Sequence, residues 1–488
     1  MFLRGCLRSL PRAPPNHRLF SSSQAYLSTK YPSRPQTIRQ LLSCPEPSVS
    51  VQSSPIEVSG WVKSIRRQKN VTFALINDGS WAPGVQAVLS AANTPKNLTN
   101  GASVRLHGRL VKSLGAEQAQ ELQVAAVDVL GECDPETYPI QKQALSIEYL
   151  RDNAHLRPRT DAVASMLRLR SQLHRTIHNY FEDQEFTYVH TPVITPSDCE
   201  GAGETFRVIP NSPSPSENNT QEEEFFSKPA YLTVSSQLHL EALASSISRV
   251  YTLSPCFRAE RSQTNRHLAE FWMLEAEWAF THGIDDVCRV AEGCLKSVLA
   301  NTTPDPAFPW SEGRLQSLED ARRSDTWARM TYTEAVKELE RYHASSKIFE
   351  FEPKWGRALQ SEHERWLSES LVGGPVFVTD YPTSLKPFYT RQNEDGRTAA
   401  CFDLLIPHVG ELIGGSLREE RLGHLVASMK KHGLDEEEYK WYVDLRRFGS
   451  APHAGFGMGF ERLVSWLSGI ENVRECIAMP RWANRMLL

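Results

Sequence analysis

The chain has 488 residues, of which 40% are hydrophobic and 23% charged, and its formal net charge is −4. This length and composition are typical of a soluble globular protein of two or more domains. The small net charge excludes a protein that is held to nucleic acid by bulk positive charge, although a local basic patch would escape the sum. The cysteines form no Cys-x-x-Cys pair, which disfavours a disulfide scaffold or a structural zinc site. No apolar run is long enough to span a bilayer.

The first 45 residues are basic and contain no acidic residue, because the first carboxylate of the chain is at position 46. On a helical wheel Phe2 and Leu10 share one side, and Arg4 and Arg8 share the other. This is the pattern of an organelle transit peptide. Residues 1–45 are therefore predicted to be a mitochondrial transit peptide, which implies a location in the mitochondrial matrix. The alternative is a disordered basic tail.

Residues 46–132 have the pattern of a domain made of short strands. A small barrel is the expected arrangement of five such strands, which are predicted at 56–65, 71–77, 84–90, 102–111 and 122–130. Beside Phe73 lie Lys63, Arg66 and Lys69, and cations next to a ring could hold a splayed single strand of nucleic acid. The alternative is a solvated strand edge beside one core phenylalanine.

Residues 133–160 are predicted to be a hinge, and residues 161–488 a second domain. Apolar residues recur at helical spacing over 161–184, which predicts a core-facing helix. An extended segment that includes Pro192 follows it.

Two polar stretches that contain several prolines interrupt the second domain, at 210–228 and 302–324. Their composition is typical of segments that cannot bury enough apolar surface to pack. Both are therefore predicted to be surface insertions.

Buried chemistry is predicted for the strand-like run from Phe271 to Trp278. Its period-two pattern places Met273, Glu275 and Glu277 on the same face as Phe271. Carboxylates inside such a strand are costly unless a cation or a ligand meets them. The run therefore indicates a ligand site, and the alternative is a salt-bridged structural hairpin.

Alternating glycines mark a second strand of interest, where Gly455, Gly457 and Gly459 alternate with Phe456 and Met458. Glycines at alternate positions leave one face bare, so that a flat ligand could approach the backbone. The alternative is a glycine bulge in a core strand. No stretch matches a phosphate-binding P-loop or a Gly-x-Gly-x-x-Gly fingerprint, which disfavours a parallel-sheet nucleotide fold.

Several stretches together resemble the class II aminoacyl-tRNA synthetases. Phe-Arg-Ala-Glu at 257–260, followed by Arg-His-Leu-Ala-Glu-Phe at 266–271, resembles their second signature motif. The glycine-rich stretch at 455–462 resembles the third motif, and the helix and strand that end at Pro192 resemble the first. Residues 60–80 look like the anticodon-binding OB domain of the aspartyl, asparaginyl and lysyl subgroup. Within the class, the chain is most similar to the asparaginyl enzymes.

The resemblance implies an α+β fold and a role for each matching residue. A five-stranded OB β-barrel would be followed by a class II domain whose antiparallel sheet is flanked by helices. ATP would be bound by Arg258, Glu260, Arg266, His267, Phe271, Glu411 and Arg462, and Arg258 and Arg462 would act in catalysis. The amino acid would be bound by Glu204, Ser235, Gln237, Glu275 and Arg418. The anticodon would be read by Phe73, Gln86 and Arg66, Mg²⁺ would be held by Asp403 and Glu411, and Pro192 would lie at the interface of a homodimer.

The implied activity is the ATP-dependent charging of tRNA(Asn) with asparagine. A membrane is not among the expected partners. Aspartyl enzymes place a lysine three residues after the glutamine that matches Gln237, and here that position is Leu240. They also have an aspartate where this chain has Glu275. Two alternatives remain, an aspartyl enzyme, whether discriminating or non-discriminating, and a non-catalytic RNA-binding paralogue. The retention of Arg258 and Arg462 disfavours the paralogue.

Overall fold

The computed structural model describes residues 35–43, 55–113, 115, 118–196, 205–210, 224–262, 264–303, 305, 308 and 310–488. The chain divides into two compact units, Met1–Gln143 and Ala144–Leu488. Most of the predicted transit peptide, and most of the predicted insertion at 210–228, lie outside the described residues. None of the helices within the described residues is both long and apolar enough to cross a bilayer.

The first unit is a closed five-stranded barrel. Its elements are α1 (Ile38–Ser43), β1 (Ile56–Arg67), β2 (Val71–Asn77), β3 (Val85–Ser90), β4 (Ser103–Lys112) and β5 (Gln120–Gly131). The strands pair in the order β1-β2-β3-β5-β4. Side chains alternate between the core and the surface, as in β2, where Thr72, Ala74 and Ile76 are buried. The predicted barrel is confirmed, and every predicted strand end lies within two residues of the observed one.

The first helix belongs to the barrel, which corrects the predicted extent of the transit peptide. Ile38 is only 1% exposed and packs in the barrel core. Its backbone N–H donates to Asp78 Oδ2 at 2.9 Å, and that of Arg39 donates to Ser80 Oγ at 3.1 Å. Residues 38–43 are thus part of the folded domain, so a removable leader has to end before Ile38.

The strands of the second unit are β6 (Thr187–Tyr188), β7 (Ile194–Thr195), β8 (Tyr231–Leu232), β9 (Arg249–Phe257), β10 (Glu270–Ala279), β11 (Ala328–Thr331), β12 (Val376–Thr379), β13 (Cys401–Ile406), β14 (Gly410–Leu417) and β15 (His453–Gly459). All of them except β7 and β8 form the eight-stranded sheet around which the unit is built, in the order β11-β12-β13-β14-β15-β10-β9-β6. The six strands from β12 to β9 pair antiparallel, as predicted. The two edge strands differ from the prediction, because β11 and β6 pair in parallel with their neighbours.

Helices pack on both faces of this sheet. They are α2 (Ile147–Asp152), α3 (Asp161–Asp183), α4 (Gln237–Ile247), α5 (Ile284–Asn301), α6 (Glu312–Arg323), α7 (Tyr332–Ser346), α8 (Ser361–Arg365), α9 (Leu422–Lys431), α10 (Lys440–Arg447) and α11 (Phe460–Ser468). The main hydrophobic core lies between α3, α5, α11 and the sheet face that carries Phe456 and Met458. The opposite face, which carries the glycines of β15, is left for the candidate site.

The helix predicted over 161–184 is confirmed as α3, and its apolar stripe faces the core as predicted. Met166, Leu173, Ile177 and Phe181 are fully buried. The helix ends where Glu185 adopts a left-handed conformation with φ of 61°, which is a common way for a helix to stop.

The predicted hinge at 133–160 extends too far towards the carboxyl end. Residues 144–160 belong to the second unit, and Arg157 in this stretch is fully buried. Its guanidinium group donates to Glu475 at 2.7 Å and to the carbonyl of Ala478 at 2.9 Å. A buried arginine that is bonded in this way fixes the segment to the end of the second unit.

The predicted surface insertion at 302–324 is wrong for its second half, which forms α6. Arg314 of α6 is 8% exposed and reaches the last turn of α11. There it donates to the carbonyl oxygens of Ser465 at 2.7 Å and Trp466 at 3.2 Å. The last carbonyls of a helix have no partner within the helix, and a cation at this end also opposes the helix dipole. Composition missed this because the stabilising contact comes from one arginine in an otherwise polar segment.

We predict that Arg314→Met lowers the free energy of unfolding by about 2 kcal/mol, because it removes the guanidinium donor from the buried carbonyl of Trp466, while the carbonyl of Ser465 still accepts from the N–H of Gly469 at 3.1 Å. Urea denaturation followed by circular dichroism measures the change. The matched control is Arg323→Met, on the same helix, where the arginine side chain is 71% exposed and a change within about 0.5 kcal/mol is expected. Equal stability of the two variants would contradict the capping role of Arg314.

Candidate active site

The floor of the site is a strip of paired residues across four strands of the sheet. Asp403 of β13 pairs with Gly414, Gly414 pairs with Gly457, and Gly457 pairs with Glu275 of β10. Residues that pair in this way lie side by side on one face of a sheet. Two carboxylates therefore flank a strip of backbone that carries no side chains, as the alternating glycines of β15 predict.

A cavity of about 230 Å³ lies above this strip. Its lining includes seven of the residues that the sequence predicts for the site, namely Ser235, Gln237, Arg258, Glu275, Asp403, Glu411 and Arg418. It also includes Leu240, at the position where aspartyl enzymes have lysine, and Lys386 and Tyr389, which no motif predicts. Residues far apart in the sequence thus converge on one pocket.

Glu275 is 3% exposed and is held as a hydrogen-bond acceptor. The backbone N–H of Ser236 donates to both of its oxygens, at 3.0 and 2.8 Å, and the Ser235 hydroxyl donates to Oε1. Hydrogen bonds from neutral donors stabilise a carboxylate inside a protein without cancelling its charge. Glu275 therefore lines the cavity with carboxylate oxygens that can accept hydrogen bonds.

Arg418 lies opposite and is bound to Glu277. Its Nη2 donates to Glu277 Oε2 at 2.8 Å, its Nε donates to Oε1 at 3.1 Å, and its Nη1 donates to Ser416 Oγ at 2.7 Å. Burial alone would lower the pKa of Arg418, but the Glu277 carboxylate outweighs burial and raises it. These bonds use three of the five N–H groups of a guanidinium, so that two can meet an oxygen of a ligand.

Further charged residues surround the pair formed by Arg418 and Glu277. Glu241 of α4 is 2% exposed and accepts from Arg446 at 2.6 Å, from the Tyr442 hydroxyl at 2.7 Å and from His453 Nε2 at 3.0 Å. Burial raises the pKa of Glu241, but Arg446 and His453 outweigh burial and lower it overall. Glu241, Glu277 and His453 lie close enough to hold a metal ion, yet their charges are already met by Arg446 and Arg418. The sequence missed Glu241 because its partners come from other helices and strands.

A second cavity of about 150 Å³ adjoins the first and shares Arg258, Met273, Glu411 and Gly457 with it. All seven residues predicted to bind ATP line it: Arg258, Glu260, Arg266, His267, Phe271, Glu411 and Arg462. The guanidinium carbon of Arg258 lies 5.5 Å from the centre of the Phe271 ring. Arginines beside a half-buried ring that lines a cavity are suited to a nucleotide, because the ring can stack on a base while the guanidinium groups bind phosphates.

His267 and Arg462 are positioned by short contacts within the second cavity. His267 Nδ1 lies 2.6 Å from Thr264 Oγ1, and burial lowers the pKa of this histidine. A neutral imidazole is therefore expected at neutral pH. Arg462, in the first turn of α11, donates to the backbone carbonyl of Glu411 at 2.8 Å. It thus points from the helix start towards the shared part of the two cavities.

Asp403 and Glu411 form an acidic corner of the first cavity, and Glu411 also lines the second. Oxygens of the two carboxylates lie 3.6 and 3.3 Å from the point where a Cβ on Gly414 would sit. Burial raises the pKa of Asp403, and the charge of Glu411 adds to this effect. Lys386 Nζ opposes both by donating to the two oxygens of Asp403, at 2.9 and 3.0 Å. Each carboxylate oxygen has a second lone pair, so that the residues fit a hard divalent cation between them.

The predicted residues outside these cavities occupy three places. Glu204 lies outside the described residues. Pro192 lies exposed between β6 and β7 of the second unit. In the barrel, the Arg66 guanidinium carbon lies 5.1 Å from the centre of the Phe73 ring. Gln86 lies on the neighbouring strand, two residues from the partner of Phe73 in the ladder, and thus on the same outer face.

The barrel face carries one further polar residue that the sequence did not indicate. Gln86 Nε2 lies 3.5 Å from Glu121 Oε2, and Ser113 donates to the same oxygen at 3.2 Å. Glu121 is 8% exposed. A ring, an amide and a carboxylate on one face can stack on a base and read its edge.

Comparisons with known proteins agree with this arrangement. A family model described as "tRNA synthetases class II (D, K and N)" matches residues 146–483, and one described as "OB-fold nucleic acid binding domain" matches residues 56–130. The asparagine–tRNA ligase of Desulfotalea psychrophila is 46% identical over 438 residues, which cover 87% of this chain and 95% of that protein. The chloroplastic/mitochondrial asparagine–tRNA ligase of Arabidopsis thaliana is 45% identical over 454 residues, which cover 87% and 79%.

A solved structure extends the likeness to the fold. The crystal structure of asparaginyl-tRNA synthetase from Pyrococcus horikoshii complexed with asparaginyl-adenylate has a TM-score of 0.77 and 29% identity, and the match covers 89% of this chain and 96% of that one. The first family model spans both cavities and all of their lining residues. The resemblance seen in the signature motifs is thereby confirmed, and the chain belongs to the class II tRNA synthetases of the D, K and N group and is an aminoacyl-tRNA ligase.

Proposed function

We propose that this ligase is specific for asparagine: it activates asparagine with ATP and transfers it to tRNA(Asn) during translation in the mitochondrial matrix. The observation that carries the choice of amino acid is the pair formed by Glu275 and Arg418 across the first cavity. The names of the similar proteins support the same choice. The mitochondrial setting is supported by the basic start of the chain and by the name of the Arabidopsis relative.

The side-chain amide of asparagine is complementary to this pair. Its NH₂ group can donate to Glu275, while its carbonyl oxygen can accept from the remaining N–H groups of Arg418. An aspartate side chain would place a second carboxylate against Glu275 in a desolvated pocket. Leu240 offers no cation to compensate it. A site that leaves the wrong ligand repelled or unpaired can discriminate by several kcal/mol.

ATP would occupy the second cavity with its adenine on the Phe271 ring and its phosphates among Arg258, Arg266 and Arg462. Arg258 lines both cavities, so it is placed at the junction where the α-phosphate has to meet the amino-acid carboxylate. Asp403 and Glu411 would hold Mg²⁺, which would neutralise phosphate charge when bound. The role of these residues is to bind and to orient, since close and aligned reactants account for much of the rate of such reactions.

The reaction then needs no protein nucleophile. A carboxylate oxygen of asparagine attacks the α-phosphorus, the bond to the bridging oxygen breaks, and pyrophosphate leaves towards Arg462. A hydroxyl of the terminal ribose of tRNA next attacks the acyl carbon, and AMP leaves. The guanidinium of Arg258 stabilises the charge that grows on the α-phosphate in the first step.

A homodimer is also proposed, with Pro192 at its interface. Tyr188 and Ile194, which flank Pro192 along the chain, expose 37% and 42% of their surface. Exposed apolar groups beside a short edge strand are typical of a surface that another chain covers.

We predict that the unmodified protein catalyses ATP–pyrophosphate exchange with asparagine and little with aspartate. Glu275→Gln should lower the ratio of kcat/KM for asparagine over aspartate by about tenfold, or about 1.4 kcal/mol, because an amide can donate to the aspartate carboxylate. Glu270→Gln is the matched control, since Glu270 lies on the same strand but pairs with Arg481 at the surface. Robust exchange with aspartate by the unmodified protein would instead indicate an aspartyl enzyme.

We predict that Phe73→Ala weakens tRNA(Asn) binding by about 1–3 kcal/mol, the usual value of one base stacked on a ring. Amino-acid activation without tRNA should be unchanged, because Phe73 lies in the barrel unit. Filter binding and pyrophosphate exchange measure the two effects, and Phe73→Tyr, which keeps a ring, serves as the control. Parallel loss of both activities would show that Phe73 is needed for folding instead.

We predict that residues 1–37, fused to a fluorescent reporter, direct it into mitochondria. The segment stops before Ile38 because that residue belongs to the barrel core. Replacing Arg4 and Arg8 by glutamate should abolish import, since the basic face of the amphipathic helix would be lost. Fluorescence microscopy and protease protection measure import, and a cytosolic unmodified fusion would refute the mitochondrial location.

A further inference from the structure

One segment of the second unit contacts two residues that line the second cavity, Arg266 and Glu411, although no signature motif includes it. α8 runs from Ser361 to Arg365 and continues directly as a π-helical stretch, Trp366–Val372. Such stretches are rare, and they frequently occur at functional sites. The wider turn shifts the register of the side chains, so that Glu364 and Glu369 both face the loop between β13 and β14.

The first contact of this segment is with Arg266, an arginine of the nucleotide cavity. Arg266 Nη1 donates to Ser361 Oγ and lies 3.9 Å from Glu364 Oε2. The arginine side chain is 24% exposed and that of Glu364 is 17% exposed, so the pair is largely shielded from water. The long Arg266 side chain is therefore held in place before any phosphate arrives.

The second contact is with the start of β14, which carries Glu411, and with the loop before it. Glu364 Oε2 accepts from the backbone N–H of Glu411 at 3.3 Å, and Glu369 Oε1 accepts from that of His408 at 2.7 Å. One carboxylate, that of Glu364, thus joins Arg266 to the acidic corner of the site.

Gly410 shows how closely these groups approach one another. Its φ is 83°, and a Cβ at this position would lie 2.5 Å from Arg266 Nη2 and 2.6 Å from Glu364 Oε2. A side chain at position 410 would therefore push the arginine and the carboxylate apart. The close crossing is possible only with glycine, for both its conformation and its size.

We propose that Glu364, assisted by Ser361, is a positioning residue for ATP: it fixes Arg266 and the start of β14, which carries Glu411, in the arrangement that receives the phosphates. The proposal rests on the proposed function, in which the second cavity binds ATP. Glu364 does not line either cavity, so it acts through Arg266 and Glu411. Holding a flexible guanidinium in its bound position before binding reduces the entropy that the ligand has to overcome.

Glu362 provides a matched control on the same short helix. Its carboxylate accepts from the backbone N–H groups of Glu350 at 3.0 Å and Phe351 at 2.8 Å, away from the cavities. Glu362 and Glu364 therefore differ in which loop they hold, while their helix and chemistry are the same.

The test compares Glu364→Gln and Glu362→Gln in the full chain. Pyrophosphate exchange gives KM for ATP and for asparagine, equilibrium dialysis gives the dissociation constant of ATP, and thermal denaturation reports stability. Glu364→Gln should raise KM and the dissociation constant for ATP about tenfold, the lower end of the loss seen when the partner of a ligand-binding residue is removed. KM for asparagine should stay the same. Glu362→Gln should leave all three constants unchanged.

Each other outcome decides a separate question. Unchanged ATP binding by Glu364→Gln, or an equal rise in KM for both substrates, would overturn the positioning role. If Glu364→Gln does not fold, Ser361→Ala, which removes only the hydroxyl that holds Arg266, should raise the same two ATP constants to a smaller extent, and no rise would overturn the proposal. Absence of exchange by the unmodified protein with any amino acid would overturn the proposed function, while the dialysis result would still decide the role of Glu364.

Discussion

The carboxylates on the bare face of the central sheet can be buried only because cations and hydrogen-bond donors meet each of them. Glu277 is 1% exposed and has Arg418 at 2.8 Å, and Asp403 has Lys386 at 2.9 Å. Removing one partner of a buried ion pair typically costs about 3–5 kcal/mol, because the other charge is left without compensation. The order of the strands and the glycines between them serve to bring these charges into register.

This requirement explains why helices distant in the sequence have to dock on the same face. α4 brings Glu241 beneath Arg418, and α10 brings Arg446 to Glu241 at 2.6 Å. Arg446 thus fixes Glu241, and Glu241 lies behind the pair formed by Arg418 and Glu277, which lines the first cavity. Rigid support of this kind keeps a binding group within the small tolerance that recognition needs.

Periodic features of the fold could be predicted from the sequence, and single tertiary contacts could not. Strand alternation located all five barrel strands, helical spacing located α3, and the alternating glycines located the bare face of β15. Arg314, Lys386 and Glu364 have no periodic signal, because each acts through one or two contacts with residues 17 to 152 positions away. Polar composition even suggested the opposite for Arg314, since a buried arginine and a solvated arginine look the same in a sequence.

The charges that line the first cavity affect whether it would favour an amino acid with a neutral or an acidic side chain. The positive charge of Arg418 is balanced by Glu277, and that of Lys386 by Asp403. Glu275 accepts hydrogen bonds from the Ser235 hydroxyl and the Ser236 amide. A second carboxylate on the substrate would therefore add negative charge where Arg418 and Lys386 are already paired. A neutral amide changes no charge and could use the donors and acceptors that these ion pairs leave exposed, so the proposed preference for asparagine is consistent with how the charges of the pocket are paired.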